Sequence, residues 1–363
     1  MSKKGRVLVA MSGGLDSSIS MSLLQKEGYE VIGVTYRTYD YKPELKTGRE
    51  TACCSLDSIN DARALSVEHS APHYVLDLRE EFYDNIVKDF ISEYMAGKTP
   101  NPCVLCNSFI KWNALLKKVD LLGCDYLATG HYAQVKQQDG RYFISKGLDD
   151  DKDQSYVLWG LSQESLKRTL FPLGQFRKPE VRALAKELGY ENLANKRESY
   201  EICFIPDDDY RGFLKHEVKD IDKNIGQGDF LLSNGKTVGK HKGYPYYTIG
   251  QRKGLEIALG EPMYVNKINA DNNTIVIGPR NELMRNEMKV GNYNLMKYPD
   301  IVGEKEVIVS IRYNDPGAMA VISKKENYIE VKFHNDVSAI TPGQSAVFYE
   351  GEDVIGGGII SRQ

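Results

Sequence analysis

Small and acidic residues near the start of the chain follow an apolar run in an order that suits phosphate binding. Residues 7–10 are apolar and predict a buried parallel strand, and Ser12-Gly13-Gly14 follows it as a turn. Asp16-Ser17-Ser18 then opens a helical pattern, so that several N–H groups and a helix N-terminus point at one spot. Glycines also let the backbone approach a ligand closely. The stretch therefore predicts a phosphate-binding loop, with an ordinary strand–turn–helix connection as the alternative.

A second candidate for chemistry is the Cys103-x-x-Cys106 pair, which lies between two helical patterns. Pro100 and Pro102 predict a rigid loop that joins neither helix, with Cys106 just before the helix that carries Lys111. A helix N-terminus lowers the pKa of a thiol and makes it nucleophilic. A metal site, a redox pair and an inert pair are the alternatives. A zinc knuckle would need a second C-x-x-C or a histidine pair after the cysteines, and neither follows Cys106, so we predict no metal ligands.

The other cysteines have different settings. Cys203 is a third candidate thiol, within residues 201–206. Cys124 lies in a strand-like run and is typical of a small buried apolar residue. Cys53 and Cys54 are adjacent and cannot reproduce the C-x-x-C spacing. We expect mainly reduced thiols, so that any disulfide would be catalytic rather than structural.

The composition limits the class of protein and its partners. The 363 residues, 41% of them hydrophobic, allow one to three domains with a sizeable core. Long apolar runs and a signal-peptide pattern are both missing, so we expect a cytoplasmic protein without membrane association. The net charge of −3 gives no global attraction to nucleic acid. Residues 236–280 carry seven Lys or Arg and three Asp or Glu, and this basic block either binds RNA or is a solvated face.

Strand and helix patterns alternate through the first half and position these residues. The predicted strands are 6–11, 30–37, 73–78 and 125–129. The predicted helices are 15–26, 58–68, 80–95, 111–121 and 178–188. This alternation predicts an α/β fold with a doubly wound parallel sheet, in which ligands bind beyond the carboxyl ends of the strands. Ser12-Gly13-Gly14 and Thr129-Gly130-His131 both fall at such ends.

The composition and periodicity of the sequence change near Pro206 and the three aspartates that follow it. Beyond this point glycine and proline are frequent, and short alternating runs predict an antiparallel sheet or small barrel at 306–312, 319–322, 329–333 and 345–349. We therefore predict three domains. They are an α/β domain with the cysteines over 1–206, a small central domain with the basic block over 207–281, and a C-terminal antiparallel β-barrel over 282–363.

Several stretches, taken in order, resemble one family. They are SGGLDSS (12–18), TPNPCVLCN (99–107), ATGHY (128–132), KDQSY (152–156), FPLG (171–174), ICFI (202–205), TIGQRKGL (248–255) and RY (312–313). From residue 6 to near the C-terminus the chain resembles the tRNA-specific 2-thiouridylases (the MnmA family), and its first motif resembles the pyrophosphate loop of ATP pyrophosphatases. The resemblance implies an adenine nucleotide hydrolase-like domain that uses ATP and Mg²⁺. It also implies a tRNA anticodon stem-loop and a persulfide sulfur-donor protein as partners.

The resemblance further implies a reaction and the residues that perform it. ATP adenylates O2 of the wobble uridine in tRNAs for Lys, Glu and Gln, and a cysteine persulfide supplies sulfur, giving 2-thiouridine, AMP and pyrophosphate. Cys106 would be the nucleophile and Cys203 the persulfide carrier, and the two would form a disulfide once the sulfur has left. The ATP site would comprise Ala10, Met11, Ser12, Gly13, Gly14, Leu15, Asp16, Ser17, Tyr36 and Gly130. The tRNA site would comprise Asn101, Pro102 and Cys103 at the target base, with His131, Lys152, Asp153, Gln154, Arg312, Tyr313 and Gln344 elsewhere.

Two positions depart from the family pattern. Cys103 stands where the family often has Asp, so Cys103, Cys106 and Cys203 could instead ligate an iron–sulfur cluster. Tyr36 stands where the family usually has Met, and its ring could stack on adenine. Two other classes are alternatives: another ATP pyrophosphatase, such as an amidotransferase-linked or argininosuccinate-type synthetase, and a non-catalytic RNA-binding protein.

Overall fold

The computed structural model describes residues 4–40, 56–195, 202–205 and 208–362. Its first seven strands are β1 (Arg6–Ala10), β2 (Glu30–Arg37), β3 (His73–Asp77), β4 (Tyr126–Ala128), β5 (Ala133–Gln138), β6 (Arg141–Lys146) and β7 (Thr169–Leu170). Five of them form a parallel sheet in the order β3-β2-β1-β4-β7. The predicted α/β fold is therefore confirmed. The sequence did not predict β7, because a two-residue strand is too short to show a pattern.

Helices cover the parallel sheet, whose central strand is fully buried at Val7, Leu8 and Val9. The helices of this domain, apart from the one that carries the C-x-x-C pair, are Leu15–Lys26, Leu56–Glu68, Arg79–Phe82, Tyr83–Val87, Lys88–Met95, Ser155–Leu158, Gln163–Lys167, Lys178–Glu187 and Glu191–Ala194. The predicted helix over 15–26 has the observed bounds. The predicted helix over 80–95 is also present, with a π-helical turn in its middle.

The C-x-x-C pair lies inside a helix, so the predicted loop over this stretch is wrong. The helix runs through Pro102–Leu105, continues as a π-helix over Cys106–Ala114 and ends as Leu115–Leu121; we call it the cysteine helix. Pro102 starts the helix rather than excluding it, because the first helical residue needs no N–H partner and the proline ring fixes a helical φ. Cys106 therefore lies in the second turn, and Cys103 lies nearest the helix N-terminus.

The central domain is small. It begins with the helices Tyr210–Glu217 and Ile221–Ile225. Its sheet has the order β10-β11-β8-β9, formed by β8 (Gly228–Leu231), β9 (Thr237–His241), β10 (Tyr264–Asn269) and β11 (Thr274–Gly278). Phe230, Val265, Ile275 and Ile277 are fully buried and join this sheet to the main hydrophobic core.

The C-terminal domain is a closed antiparallel barrel, as predicted. Its strands are β12 (Met284–Leu295), β13 (Glu304–Ser310), β14 (Ala318–Lys324), β15 (Ile329–Ser338), β16 (Ser345–Glu350) and β17 (Asp353–Ile360). The barrel closes because β12 pairs with both β15 and β17. The predicted strand over 306–312 ends too late, since the carboxylate of Asp315 accepts hydrogen bonds from the N–H groups of Ile311 and Gly317 and forms a turn there.

A hairpin of the α/β domain extends the barrel sheet. Strands β5 and β6 pair with each other, and β6 pairs with β17 at Ser145 and Asp353. Arg141 donates hydrogen bonds to the carbonyl oxygens of Leu295 and Met296, both at 2.9 Å. The hairpin therefore fixes the barrel relative to the sheet that carries the predicted phosphate loop. Pro206, at the predicted boundary of the α/β domain, lies outside the described residues.

Candidate functional site

The turn after β1 has the geometry of an anion-binding loop. Gly13 has a φ of +66°, and a side chain there would overlap the carbonyl oxygen of Ser58. The N–H of Ser12 donates to Oγ of Ser17 at 3.2 Å, and this hydroxyl donates to the carbonyl oxygen of Gly14 at 3.2 Å. The loop is thus held against the first turn of the following helix, whose N–H groups face the end of β1.

The second predicted nucleotide element lies directly on this loop. A Cβ atom at Gly130 would be 2.9 Å from the backbone carbon of Asp16 and from the nitrogen of Ser17. Only glycine permits such an approach between the segment after β4 and the helix N-terminus. Tyr36 lies at the same edge of the sheet, near the end of β2, and its contact with adenine remains a prediction.

Asp16 belongs to a charged cluster that sequence reasoning missed. The ammonium of Lys178 lies 2.8 Å from each carboxylate oxygen of Asp16, and the Tyr132 hydroxyl donates to the same carboxylate at 2.9 Å. The Lys178 side chain is only 7% exposed. Lys178 starts the helix Lys178–Glu187, and the carboxylate of Asp149 accepts its backbone N–H at 2.7 Å. No local pattern signals this pairing, because 162 residues separate the two partners in the chain.

The residues fit one of the two implied metal groups. Asp16 is a single carboxylate beside the loop, which suits Mg²⁺ that is held mainly by nucleotide phosphates. Within the described ranges, no three His, Cys, Asp or Glu side chains lie close enough together to hold a metal ion. Cys103, Cys106 and Cys203 are all described, so this arrangement does not fit an iron–sulfur cluster on these three residues.

The cysteine helix presents its two thiols differently. Cys103 is exposed and Cys106 is half-buried. Although the Cys103 residue has solvent-exposed surface, the protein atoms that surround its sulfur raise the pKa of the thiol by desolvation, and the positive charge of Lys111 opposes that shift. Asn107, next to Cys106, is buried and donates from its amide to the carbonyl oxygen of Val157 at 2.8 Å.

His131 lies behind this helix rather than on the surface. Its Nε2 is 3.3 Å from the Lys111 ammonium, and its Nδ1 is 2.7 Å from the Thr129 hydroxyl. The rings of Trp112 and Phe171 pack against the imidazole. Burial lowers the pKa of His131 well below its usual value, and the charge of Lys111 lowers it further. A neutral His131 with a proton on Nδ1 satisfies both contacts.

The three domains meet at the loop before the cysteine helix. The side-chain amide of Gln344 donates to the carbonyl oxygens of Thr99 and Pro100 at 2.9 and 3.0 Å. The hydroxyl of Thr99 lies 3.3 Å from that of Thr248 in the central domain. Asn101, which precedes the helix, lies next to Tyr156. Gln344 therefore positions this loop, which is the predicted target-base loop.

Two predicted tRNA-contacting stretches also come together. The hydroxyl of Tyr313 donates to the carbonyl oxygen of Asp153 at 3.1 Å. The side chain of Gln154 accepts the N–H of Tyr132 at 3.0 Å, which ties residues 152–154 to the segment after β4. Lys152 is half-buried at the start of this stretch. Arg312 donates to the carbonyl oxygen of Ser338, at one end of the barrel.

Cys203 is positioned by its neighbour. Phe204 is 2% exposed, and its ring packs against those of Phe82, Phe90 and Phe213 at centroid distances of 5.2–5.6 Å. Cys106 and Cys203 both pack against this same core. The fold thus anchors Cys203 on the core that supports the cysteine helix. Residues 53 and 54, the adjacent cysteines, lie outside the described residues.

The basic block is partly neutralised. Lys240 pairs with Asp229 at 2.7 Å and Lys242 with Glu256 at 3.2 Å. Arg252 and Lys253 are exposed, and neither forms an ion pair with any residue that the structure describes. They follow residue 248, which contacts the target-base loop. Within the described ranges, no helix has the length and apolar character needed to span a membrane.

The glycine loop on the central parallel strand, the helix that carries the C-x-x-C pair and the two smaller β domains define a three-part phosphate-loop α/β protein. Family models match each part: a "tRNA methyl transferase HUP domain" over residues 5–207, a "tRNA methyl transferase PRC-barrel domain" over 211–279 and an "Aminomethyltransferase beta-barrel domain" over 285–360. The chain belongs to the family of tRNA-specific 2-thiouridylases, which confirms the resemblance noted in the sequence.

Curated relatives carry this family name over nearly their whole length. "tRNA-specific 2-thiouridylase MnmA" of Amoebophilus asiaticus is 56% identical over 99% of this chain and 96% of the relative. The relative of the same name in Cytophaga hutchinsonii is 55% identical over 99% of this chain and 98% of its own length. That of Salinibacter ruber is 54% identical over 99% and 95%.

Proposed function

We propose that the protein replaces O2 of the wobble uridine in tRNAs for Lys, Glu and Gln with sulfur, in an ATP-dependent reaction. One observation carries the proposal. Gly130 and Tyr132 contact Asp16 of the phosphate loop, while His131 between them contacts Lys111 on the cysteine helix. A single short segment therefore links the loop that would bind ATP to the helix that holds the thiols.

The chemistry requires both sites. Uracil O2 is a poor leaving group, so it first attacks the α-phosphorus of ATP, and pyrophosphate leaves as the α–β bond breaks. Cys203 carries the sulfur as a persulfide, and the Cys106 thiolate attacks the S–S bond. The released sulfur adds to C2 of the adenylated uridine, and AMP leaves with the former O2. The Cys106–Cys203 disulfide must then be reduced by an external thiol before a sulfur-donor protein reloads Cys203.

The residues around the loop have distinct roles in this scheme. The N–H groups at Ser12-Gly13-Gly14 would hold the phosphates, and Asp16 would help to place Mg²⁺. The metal, when bound, neutralises charge on the phosphates. Arg252 and Lys253 would contact tRNA phosphates without reading sequence. A flipped wobble base is accessible because an anticodon loop is single-stranded.

Separate variants of Cys106 and Cys203 test the roles proposed for the two thiols. Cys203→Ser should fail to accept sulfur from a persulfide donor, as measured by mass spectrometry of the intact protein. Cys106→Ser should still accept sulfur on Cys203 but should not deliver it to tRNA. Cys124→Ala is the matched control, because Cys124 is buried away from this scheme and should leave both steps unchanged. A persulfide found on Cys106 in the unmodified protein, with Cys203 dispensable, would reverse the assignment.

The product distinguishes this reaction from methylation, which the description of the family model mentions. Nucleosides from tRNA treated with enzyme, ATP and a persulfide donor should contain uridine in which sulfur has replaced oxygen. A methyl group on the base, or pyrophosphate release that does not depend on tRNA, would contradict the proposal. A non-catalytic RNA-binding protein would release no pyrophosphate under any of these conditions.

A further inference from the structure

The cysteine helix contains an unusually long π-helical segment, nine residues from Cys106 to Ala114. π-Helices usually occur as single turns and often mark functional sites. Their hydrogen bonds run from residue i to residue i+5, so residues five apart are offset by only roughly 50° around the helix axis. Cys106 and Lys111 are five apart. In a regular α-helix the same spacing would rotate Lys111 by about 140° from Cys106. The π-helix thus brings the lysine to the side of the helix that carries the thiol.

The Lys111 ammonium is held in this position by a buried acceptor. Nε2 of His131 lies 3.3 Å from it, and Nδ1 of the same ring lies 2.7 Å from the Thr129 hydroxyl. The imidazole is 8% exposed and packs against the ring of Trp112, which neighbours Lys111 on the helix. Because a neutral imidazole offers one lone pair, it can accept from Lys111 without cancelling its charge.

The charge of Lys111 also acts on the other thiol of the pair. Its electrostatic effect on Cys103 favours the thiolate, against the desolvation that favours the neutral thiol. The charge that reaches Cys103 is therefore carried by the same helix as Cys106, and its ammonium is fixed by His131. An opposite charge close to an ionisable group is the common way in which proteins stabilise a thiolate at neutral pH.

We propose that Lys111 is a further catalytic residue, the cation that stabilises the Cys106 thiolate when it attacks the persulfide bond. His131 is the positioning residue that orients it. In this step Cys106 has already lost its proton to solvent, its electron pair forms the new S–S bond, and the released sulfur takes the electrons of the old one. Lys111 keeps its protons throughout. The inference deepens the proposed function, on which it rests.

The test measures thiol reactivity and needs neither ATP nor tRNA. The rate of alkylation of each cysteine by iodoacetamide is followed against pH by peptide mass spectrometry. In Lys111→Met, alkylation of Cys106 at pH 7 should fall about tenfold, and its pH midpoint should rise, because a neighbouring cation shifts a thiol pKa by about one unit or more. Lys111→Arg should restore most of the rate. Lys117→Met, on the exposed side of the same helix, should match the unmodified protein.

The outcomes separate this inference from the proposed function. An unchanged pH profile for Cys106 in Lys111→Met would overturn the inference, even if thiolation of tRNA were confirmed. A shifted profile together with no thiolation by the unmodified protein would overturn the proposed function alone. If Lys111→Met fails to fold, as judged by its thermal transition, Lys111→Arg and His131→Gln carry the test. The arginine variant should then keep the profile, and the glutamine variant should raise the midpoint; the same profile in both would overturn the inference.

Discussion

The pair of Asp16 and Lys178 offers a double-mutant cycle that separates folding from chemistry. Lys178 is 7% exposed on its side chain and Asp16 is 33% exposed, and two N–O contacts of 2.8 Å join them. Removing one member of a buried pair costs about 3–5 kcal/mol, since the other charge is left unpaired. In Lys178→Met the remaining Asp16 can still be hydrated, so the expected loss is smaller, about 2 kcal/mol.

Asp16→Asn removes the carboxylate that neutralises the less exposed Lys178 and should cost more, about 3 kcal/mol. The double variant contains neither charge. It should therefore lose only about 3 kcal/mol of stability, less than the sum of about 5 kcal/mol for the two single variants, which corresponds to a coupling of about 2 kcal/mol. Catalysis should behave differently: tRNA-dependent pyrophosphate release should be lost in Asp16→Asn and stay lost in the double variant, because the carboxylate beside the phosphate loop is still missing.

Denaturant unfolding and a pyrophosphate-release assay on the same four proteins decide between the possibilities. Additive stability losses would show that the two side chains are not energetically coupled. Recovery of pyrophosphate release in the double variant would refute the role of Asp16 in catalysis, since the single defect would then be one of folding alone. Lys186→Met, on the exposed side of the helix that starts with Lys178, is the control and should change neither quantity.

Three further outcomes are expected. Gly130→Ala places a methyl group 2.9 Å from the loop backbone, so it should cost about 1–3 kcal/mol of stability and weaken ATP binding, as measured by calorimetry. Changing Arg252 and Lys253 together to Ala should weaken the binding of all cognate tRNAs about equally. The salt dependence of binding should fall by about two phosphate contacts, and ATP affinity should not change. If the double variant binds tRNA at low salt as tightly as the unmodified protein, the tRNA-binding surface lies elsewhere. Hydrogen bonds from Lys297 lower the pKa of Glu350 from 4.5 to about 2, so the stability that this carboxylate contributes is present above pH 4.5 and is lost as the pH falls towards 2. Thermal unfolding of Glu350→Gln should show a flatter pH dependence over that window, and an unchanged slope would contradict the assignment.

The parts of the site that the sequence predicted are those encoded by contiguous residues. The loop from Ser12 to Ser17 follows its strand directly, so the order of residue types reveals the turn and the helix start. Lys178 could not be found in this way, because its partner lies 162 residues away and nothing in its own neighbourhood is unusual. The placement of Lys111 was missed for another reason. Sequence periodicity assumes 3.6 residues per turn, and a π-helix breaks that assumption.

The fold shows the same limits. Proline inside a sequence pattern predicts a helix break, whereas Pro102 occupies the first helical position and starts the helix. Strand β17 escaped prediction because it contains three consecutive glycines, which are typical of turns. The structure explains all three, because a Cβ atom at Gly356 or Gly358 would overlap β12. A Cβ atom at Gly357 would lie 2.7 Å from the indole of Trp159, so the barrel strand can approach the α/β domain only without a side chain.

The hairpin of β5 and β6 has a consequence for the nascent chain. A two-stranded hairpin is marginally stable alone, and this one docks at the start of β17. There the Ser145 hydroxyl donates to the carbonyl oxygen of Glu352, 207 residues further along the chain. At ribosomal rates of synthesis, roughly 10–40 s pass between the completion of the hairpin and the appearance of β17. Gly130 and Tyr132 lead directly into β5, so the segment that joins the phosphate loop to the thiols adjoins a hairpin whose barrel partner is synthesised last. Its contacts with Asp16 and Lys111 need only the α/β domain, whereas the pairing of the hairpin with the barrel requires nearly the whole chain.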